Sequence, residues 1–387
     1  MSITRISILL LFFLLAGVAE AEPPATDRGP WELTYGTYLN LHVGERSPAV
    51  EDSDLGAELL LGLDREPTWI LDGALVFRAS RELSSGGRFE LFTRLDGEEG
   101  GENPLAEVEL TAGYLGYRHG LFRVNVGRVE LPLGLENQVR RVGTLRPFAN
   151  PASDFLRTGG FTSQFVDGVL VSLSPGGFEV SAYAGEYGFK EVILGGMPMA
   201  ADADAKNVWG GQAEYRWSGY RLGGGYQELE TKGGFLDGER TGRHVFASGR
   251  WSVGSSELQA QTEWRVIKIR QPDGFQFDFE PRYAQLVGSR GAWELGARYE
   301  DTQVTQAWPG ILATTRLDQR ETWTLAASWA PGWSLLAGDW RLKGEWSEST
   351  FATIEGISME EGLLVPVLGS ENGHSFLLTL SYTFSSR

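Results

Sequence analysis

The chain is predicted to be all-β: a transmembrane antiparallel β-barrel of sixteen strands with a long external third loop. Three observations point there. Apolar and polar side chains alternate with period two over stretches of about 9–11 residues, the length a strand needs to cross a bilayer and longer than the usual soluble strand. Connections between these stretches alternate between tight turns and longer loops, as in outer-membrane barrels. Glycine and aromatic residues are abundant (51 Gly, 20 Phe, 13 Trp, 12 Tyr), while mean hydropathy is slightly negative at −0.20. No segment holds a helical period worth defending, which argues against a soluble α/β enzyme.

Residues 1–21 read as a secretory signal peptide. Arg5 precedes an apolar run from Ile6 to Val18, and Ala19-Glu20-Ala21 places small residues at the cleavage positions,. That run is too short for a comfortable membrane helix, and no later segment is longer. Residues 22–387 are then one exported barrel domain. It contains no cysteine, so no disulfide helps to hold it,.

The first strand runs from Trp31 to Val43, with Trp31, Leu33, Tyr35, Leu39 and Leu41 on one face and Glu32, Thr34, Asn40 and His42 on the other. Ile70 to Arg81, Phe89 to Leu95 and Leu105 to Arg118 follow as the second to fourth. Later segments alternate as clearly: Leu258, Ala260, Thr262 and Trp264 oppose Gln259, Gln261, Glu263 and Arg265, and Trp293, Leu295 and Tyr299 oppose Glu294, Arg298 and Glu300. Aromatics recur at the ends of the apolar faces, where interfacial girdles belong. The last strand, ending Tyr382-Thr383-Phe384 before Ser385-Ser386-Arg387, resembles the signal read by the barrel-assembly machinery.

Tight turns are expected at His119-Gly120, Ser174 to Gly176, Ser218-Gly219, Gly254 to Ser256 and Arg290-Gly291. Longer loops are expected at Lys190 to Ala205, Thr231 to Thr241, Ile269 to Gln276, Thr305 to Leu317 and Phe351 to Gly373. The short turns face the periplasm and the long loops the outside. Seventeen candidate strands can be counted, but a closed antiparallel barrel with both termini on one side needs an even number. The weakest, Asp54 to Asp64, is assigned to the first external loop. That leaves sixteen, with eighteen as the alternative.

On this count the third external loop spans 132–162. About thirty residues without periodicity are unusual in a compact domain and generally functional. The segment carries Arg140, Arg141, Arg146 and Arg157 against Glu136 and Asp154. A narrow passage amplifies such charges, so these arginines and Glu136 are the candidate constriction residues. Lumen-wall candidates are Arg123, Arg221, Arg250, Arg265, Arg298 and Arg341 with Glu107, Glu109 and Glu263. With Arg216, Glu214, Glu257, Glu294, Glu300 and Glu345, which also fall on predicted lumen positions, the signs nearly balance, and pairing across neighbouring strands is the plainer reading of them. Much of the acid behind the net charge of −17 lies on predicted external segments such as Glu98-Glu99 and Glu360-Glu361. There it is solvated or meets cations of the lipopolysaccharide layer.

Residues 112–136, from Ala112 through Gly127, Pro132 and Gly134 to Glu136, resemble the phosphate-selective porin O and P family. There a strand, a tight turn and a second strand lead into a Gly-x-x-x-x-Pro-x-Gly-x-Glu-like segment. The resemblance implies a sixteen-stranded homotrimeric porin of the bacterial outer membrane whose third loop folds into the bore. In that family anion selectivity comes from pore arginines and external lysines; this chain has 29 arginines but only five lysines.

Catalytic, metal and cofactor motifs are not found. His42, His119, His244 and His374 stand in no His-Glu-x-x-His arrangement, and no Gly-x-Ser-x-Gly occurs,. The expected partners are outer-membrane lipid, lipopolysaccharide and a small hydrophilic solute, not nucleic acid. The sequence leaves three activities open: passive diffusion with an anion preference, export of an acidic polysaccharide, and a barrel enzyme or plugged structural barrel.

Overall fold

The computed structural model describes residues 31–46, 68–83, 86–100, 103–135, 148, 165–189, 192–194, 197–199, 203–232, 237–307, 315–332, 338–360 and 363–385. Every regular element among them is a strand. The first seven are β1 (Glu32–Arg46), β2 (Thr68–Glu82), β3 (Gly87–Gly100), β4 (Asn103–His119), β5 (Phe122–Glu130), β6 (Phe165–Leu173) and β7 (Phe178–Phe189). A small hairpin, β8 (Val192–Leu194) and β9 (Met197–Met199), stands apart as its own two-stranded sheet. The remainder are β10 (Ala203–Trp217), β11 (Tyr220–Lys232), β12 (Gly238–Val253), β13 (Ser256–Arg270), β14 (Gln276–Arg290), β15 (Trp293–Ala307), β16 (Thr315–Trp329), β17 (Asp339–Glu360) and β18 (Leu363–Ser385).

Sixteen of these close into an antiparallel barrel in which each strand pairs with its chain neighbours and β1 pairs with β18. The barrel of eighteen is thereby excluded: the extra hairpin lies outside the ring. The tight turns fall where alternation placed them, at Gly120-Leu121, 174–177, Ser218-Gly219, Gly254-Ser255 and Gly291-Ala292. Positive φ at Gly120, Gly176, Gly219, Gly254 and Gly291 explains the glycine in each,. One expected loop is different. Phe351 to Gly373 is not irregular, because β17 and β18 stay paired from Asp339↔Thr383 out to Glu360↔Leu363. Its mixed composition hid a long two-stranded arm. The segment Asp54 to Asp64 and the predicted signal peptide lie outside the described residues.

The two faces of the wall separate cleanly. Side chains converge on the concave side of a closed sheet, so contacts that jump an intervening strand mark the interior. Tyr38 on β1 donates to Asp96 on β3 at 3.1 Å, His244 on β12 meets Gln212 on β10 at 2.9 Å, and Arg341 on β17 pairs with Glu294 on β15. All belong to the polar set. The opposite face exposes Leu222, Val245, Leu286, Leu295 and Leu325 between two rows of aromatics. Near the tight turns Phe178, Tyr215, Trp217, Tyr220 and Trp251 form a continuous row with centroids 4.3–5.8 Å apart. Toward the other rim Trp209 meets Tyr226 at 5.4 Å and Tyr299 meets Trp323 at 4.7 Å. Apolar outside, polar inside and ringed by aromatics is the pattern a bilayer selects.

The wall is creased beside the long loop. Gly127, Gly168 and Gly185 stand opposite one another on β5, β6 and β7. A Cβ at Gly168 would lie 2.1 Å from the Ala184 carbonyl oxygen, and one at Gly185 would lie 2.5 Å from that of Asp167. Only glycine lets the strands approach so closely, and such kinks bend a barrel wall. Gly168→Val should cost about 1–3 kcal/mol or more through overpacking against backbone. The check is the urea midpoint of the detergent-refolded barrel; a wild-type midpoint would refute the crease.

Candidate functional site

Beyond the crease, β5 keeps its alternation past its last ladder bond. Val129 and Leu131 point inward and are buried, and Pro132 is the middle residue of a tight turn closed by the Leu133 N–H donating to the Leu131 carbonyl at 2.9 Å,. Val129, Leu131 and Leu133 pack with Val166, Tyr183, Ala205, Val208 and Leu229 into an apolar cluster on the concave side. Burial of this kind gives about 1.5–3 kcal/mol per large aliphatic side chain. It draws the start of the loop inward.

Wall side chains then take hold of the loop backbone. The Gly134 N–H donates to Gln212 Oε1 at 2.9 Å, and the Leu135 N–H donates to Glu263 Oε2 at 2.9 Å. Arg265 closes the clasp: its Nη2 donates to the Leu133 carbonyl at 3.0 Å, while its Nε donates to Glu263 Oε1 at 2.7 Å. Glycine is required at 134, where φ is +71° and a Cβ would fall 1.9 Å from Glu263 Oε1. His244 Nε2 lies 2.9 Å from the same Gln212 oxygen, which fixes the amide from its other side. Three consecutive residues that would otherwise bury orphaned backbone groups are thus satisfied.

A second anchor lies across the barrel. Phe148 is buried against Gly296, with Val287 and Ala326 beside it, and the Arg298 guanidinium stands 4.5 Å over its ring. A Cβ at 296 would meet the ring at 2.8 Å, so Gly296 forms the seat. Its strand, β15, stands eight places from β5 in a ring of sixteen, the opposite wall. Phe148 thus sits on the wall opposite the strand that leads into Leu131.

The wall arginines singled out from sequence all carry carboxylate partners. Arg123 lies 3.5 Å from Glu90, Arg250 3.0 Å from Glu257, and Arg298 2.7 Å from Glu300. Arg221 donates through Nε to Glu214 at 2.7 Å, Arg265 holds Glu263, and Arg341 holds Glu294. Glu107 and Glu109 stand opposite Glu98 and Asp96 in the β3–β4 ladder, with side chains outside the described set. Glu136, Arg140, Arg141, Arg146 and Arg157 also lie outside the described residues. Gln212 and Phe148 were not found from sequence, and His244 was noted there only as one of four histidines in no catalytic arrangement. Phe148, an aromatic within a polar stretch, was the available signal; nothing marks Gln212. Among the described residues no group of three His, Asp or Glu is placed to hold a metal ion.

A closed barrel with a lipid-facing apolar band, and with Leu133–Leu135 clasped against its inner wall, belongs to the class of outer-membrane channels. Comparison with known proteins agrees. The profile of the Gram-negative porin family matches residues 7–337, and the chain belongs to that family, whose members reside in the outer membrane. Among solved structures it is similar to an anion-selective porin from Comamonas acidovorans (TM-score 0.60, 14% identity, covering 92% of this chain and 100% of the other). It is also similar to the outer-membrane channel DcaP of Acinetobacter baumannii (0.59, 12%, 92% and 99%) and to the trimer form of OmpT from Vibrio cholerae (0.57, 12%, 92% and 100%). At these identities the likeness is one of fold. No curated protein matches the sequence.

Truncating the clasp should be costly. Glu263→Ala leaves Arg265 and the Leu135 N–H without their acceptor in a buried setting, a loss of about 3–5 kcal/mol. Glu263→Gln keeps an acceptor and should lose less than half of that. Urea midpoints in detergent micelles separate the two; equal midpoints for all three proteins would refute the clasp.

Proposed function

We propose that this porin passes small hydrophilic solutes by passive diffusion and prefers anions at a constriction made by its third loop, residues 132–162. One observation carries the reading: the chain leaves β5, its backbone at Leu133–Leu135 is bonded to β10 and β13, and Phe148 is seated on β15, the wall opposite β5. Sixteen strands about 4.8 Å apart and tilted about 40° enclose a ring roughly 30 Å across, too wide to sieve small solutes without such a strap. Wall charges supply little sign, since each described candidate arginine is paired with a carboxylate. The loop has four arginines against Glu136 and Asp154, a positive balance where the passage is narrowest and counts most,. The phosphate-selective porin resemblance supports the same sign, as does the fold shared with an anion-selective porin. A homotrimer fits the trimeric form of a barrel of this fold.

Two variants test the constriction in planar bilayers. Arg140, Arg141 and Arg146 replaced together by Ala should shift the reversal potential toward cations. The anion-to-cation permeability ratio should fall on the order of tenfold, for three charges each worth about RT in a partly hydrated passage. Phe148→Ala should release the far anchor and raise single-channel conductance. An unchanged reversal potential removes the loop arginines from the account, and a silent folded barrel removes the porin reading itself.

A further inference from the structure

The interior near the tight turns carries a feature that the constriction does not use. Arg88, Arg118 and Arg123 stand directly opposite one another on β3, β4 and β5, facing the bore within two residues of the turns. Like charges side by side across strands are destabilising unless something neutralises them. The outer two have local partners. Arg88 reaches Glu32 at 3.2 Å and Glu82 at 3.4 Å. Arg123 reaches Glu90 at 3.5 Å, the Tyr114 hydroxyl at 3.2 Å and Asn125 at 3.2 Å. Glu90 is already shared, because Arg78 lies 3.6 Å from the same oxygen. Arg118, in the middle of the row, is exposed and has no ion-pair partner among the described residues.

Sign and exposure both favour an incoming oxyanion. Four guanidinia (Arg78, Arg88, Arg118, Arg123) face three carboxylates (Glu32, Glu82, Glu90). Deep in the wall the carboxylate lies behind its arginines: Glu90 is 19% exposed, while Arg78 is 47% and Arg123 is 44%. The exposed parts of their guanidinia are left open to the bore. Phe92, stacked on Tyr114 at 5.0 Å and lying 5.6 Å under Arg78, stiffens the floor of the cluster. Guanidinia are suited to binding carboxylate and phosphate groups through paired N–H donors.

We infer that Arg118, flanked by Arg88 and Arg123, forms an oxyanion-binding station at the turn-side mouth of the bore, separate from the third loop. It takes small solutes bearing a carboxylate or phosphate group and makes the channel electrically asymmetric. The inference rests on the porin reading for its role in permeation but not for the binding itself.

Inorganic phosphate is the probe. Added to the turn-side chamber of an oriented single channel, it should reduce the monovalent current more strongly than when added to the other side. Arg118→Gln breaks no ion pair, so folding is preserved, and it should weaken this block roughly tenfold, the effect of one charged hydrogen-bond donor. Glu90→Gln should strengthen it by freeing two guanidinia, an opposite change that misfolding would not produce. The Arg140, Arg141 and Arg146 triple variant should leave it intact. Equal block from both sides, or no effect of Arg118→Gln, overturns the station. If the barrel conducts no current, phosphate titration calorimetry on the detergent-solubilised protein still decides: binding weakened by Arg118→Gln upholds the site while the porin reading fails, and no binding overturns it.

Discussion

Everything in this molecule depends on closure of the sheet. A backbone N–H or C=O left unpaired in hydrocarbon costs several kcal/mol, so a strand can cross a bilayer only if both its edges are bonded. The ladder between β1 and β18, from Gly36↔Ser385 to Arg46↔Ser375, removes the last two edges. Once the ring is shut, each strand has one convex and one concave face, and the alternating sequence has somewhere to put both halves. Leucine and valine diverge into lipid; arginine, glutamate, threonine and serine converge on one another.

Convergence sets the chemistry of the interior. On the concave side, side chains reach across a whole strand, as Tyr38, Arg94 and Asp96 do with Thr111 from the next strand: Arg94 donates to Tyr38 at 2.7 Å and to Asp96 at 2.9 Å. Such networks neutralise charges that a count by sign would treat as free. They turn most of the wall into bracing, and leave electrostatic character to places where the pairing is incomplete. The arginine row at the turn-side mouth is one such place.

The loop itself obeys the rule that governs the wall. A segment drawn into a barrel loses water from its backbone and must find donors and acceptors there. Leu133, Gly134 and Leu135 find them in Arg265, Gln212 and Glu263, while Leu131 and Leu133 bury apolar surface against β6, β7, β10 and β11. Polar clasp and apolar patch act together: one fixes the register, the other supplies the driving force.

Period-two alternation, strand length and the parity of turns were enough, residue by residue, to point to an outer-membrane barrel, with sixteen strands preferred over eighteen, and to number its long loop, because each reflects a local rule that a strand in lipid cannot escape. Even the inward direction of Arg265, Arg298 and Glu263 followed from alternation with Trp264 and Tyr299. What the chain order could not disclose was which inward groups meet. Gln212, His244 and Glu263 are separated by tens of residues and carry no common spacing, and Phe148 reaches Arg298 only because the barrel brings β15 opposite β5. The extension of β17 and β18 through Phe351 to Gly373 was equally hidden, since cross-strand pairing with a partner outside the lipid needs no apolar face. Alternation is written into the chain one residue at a time; convergence exists only after the sheet has closed, and that is where the long loop, found in the sequence as a stretch without period, acquired its two anchors.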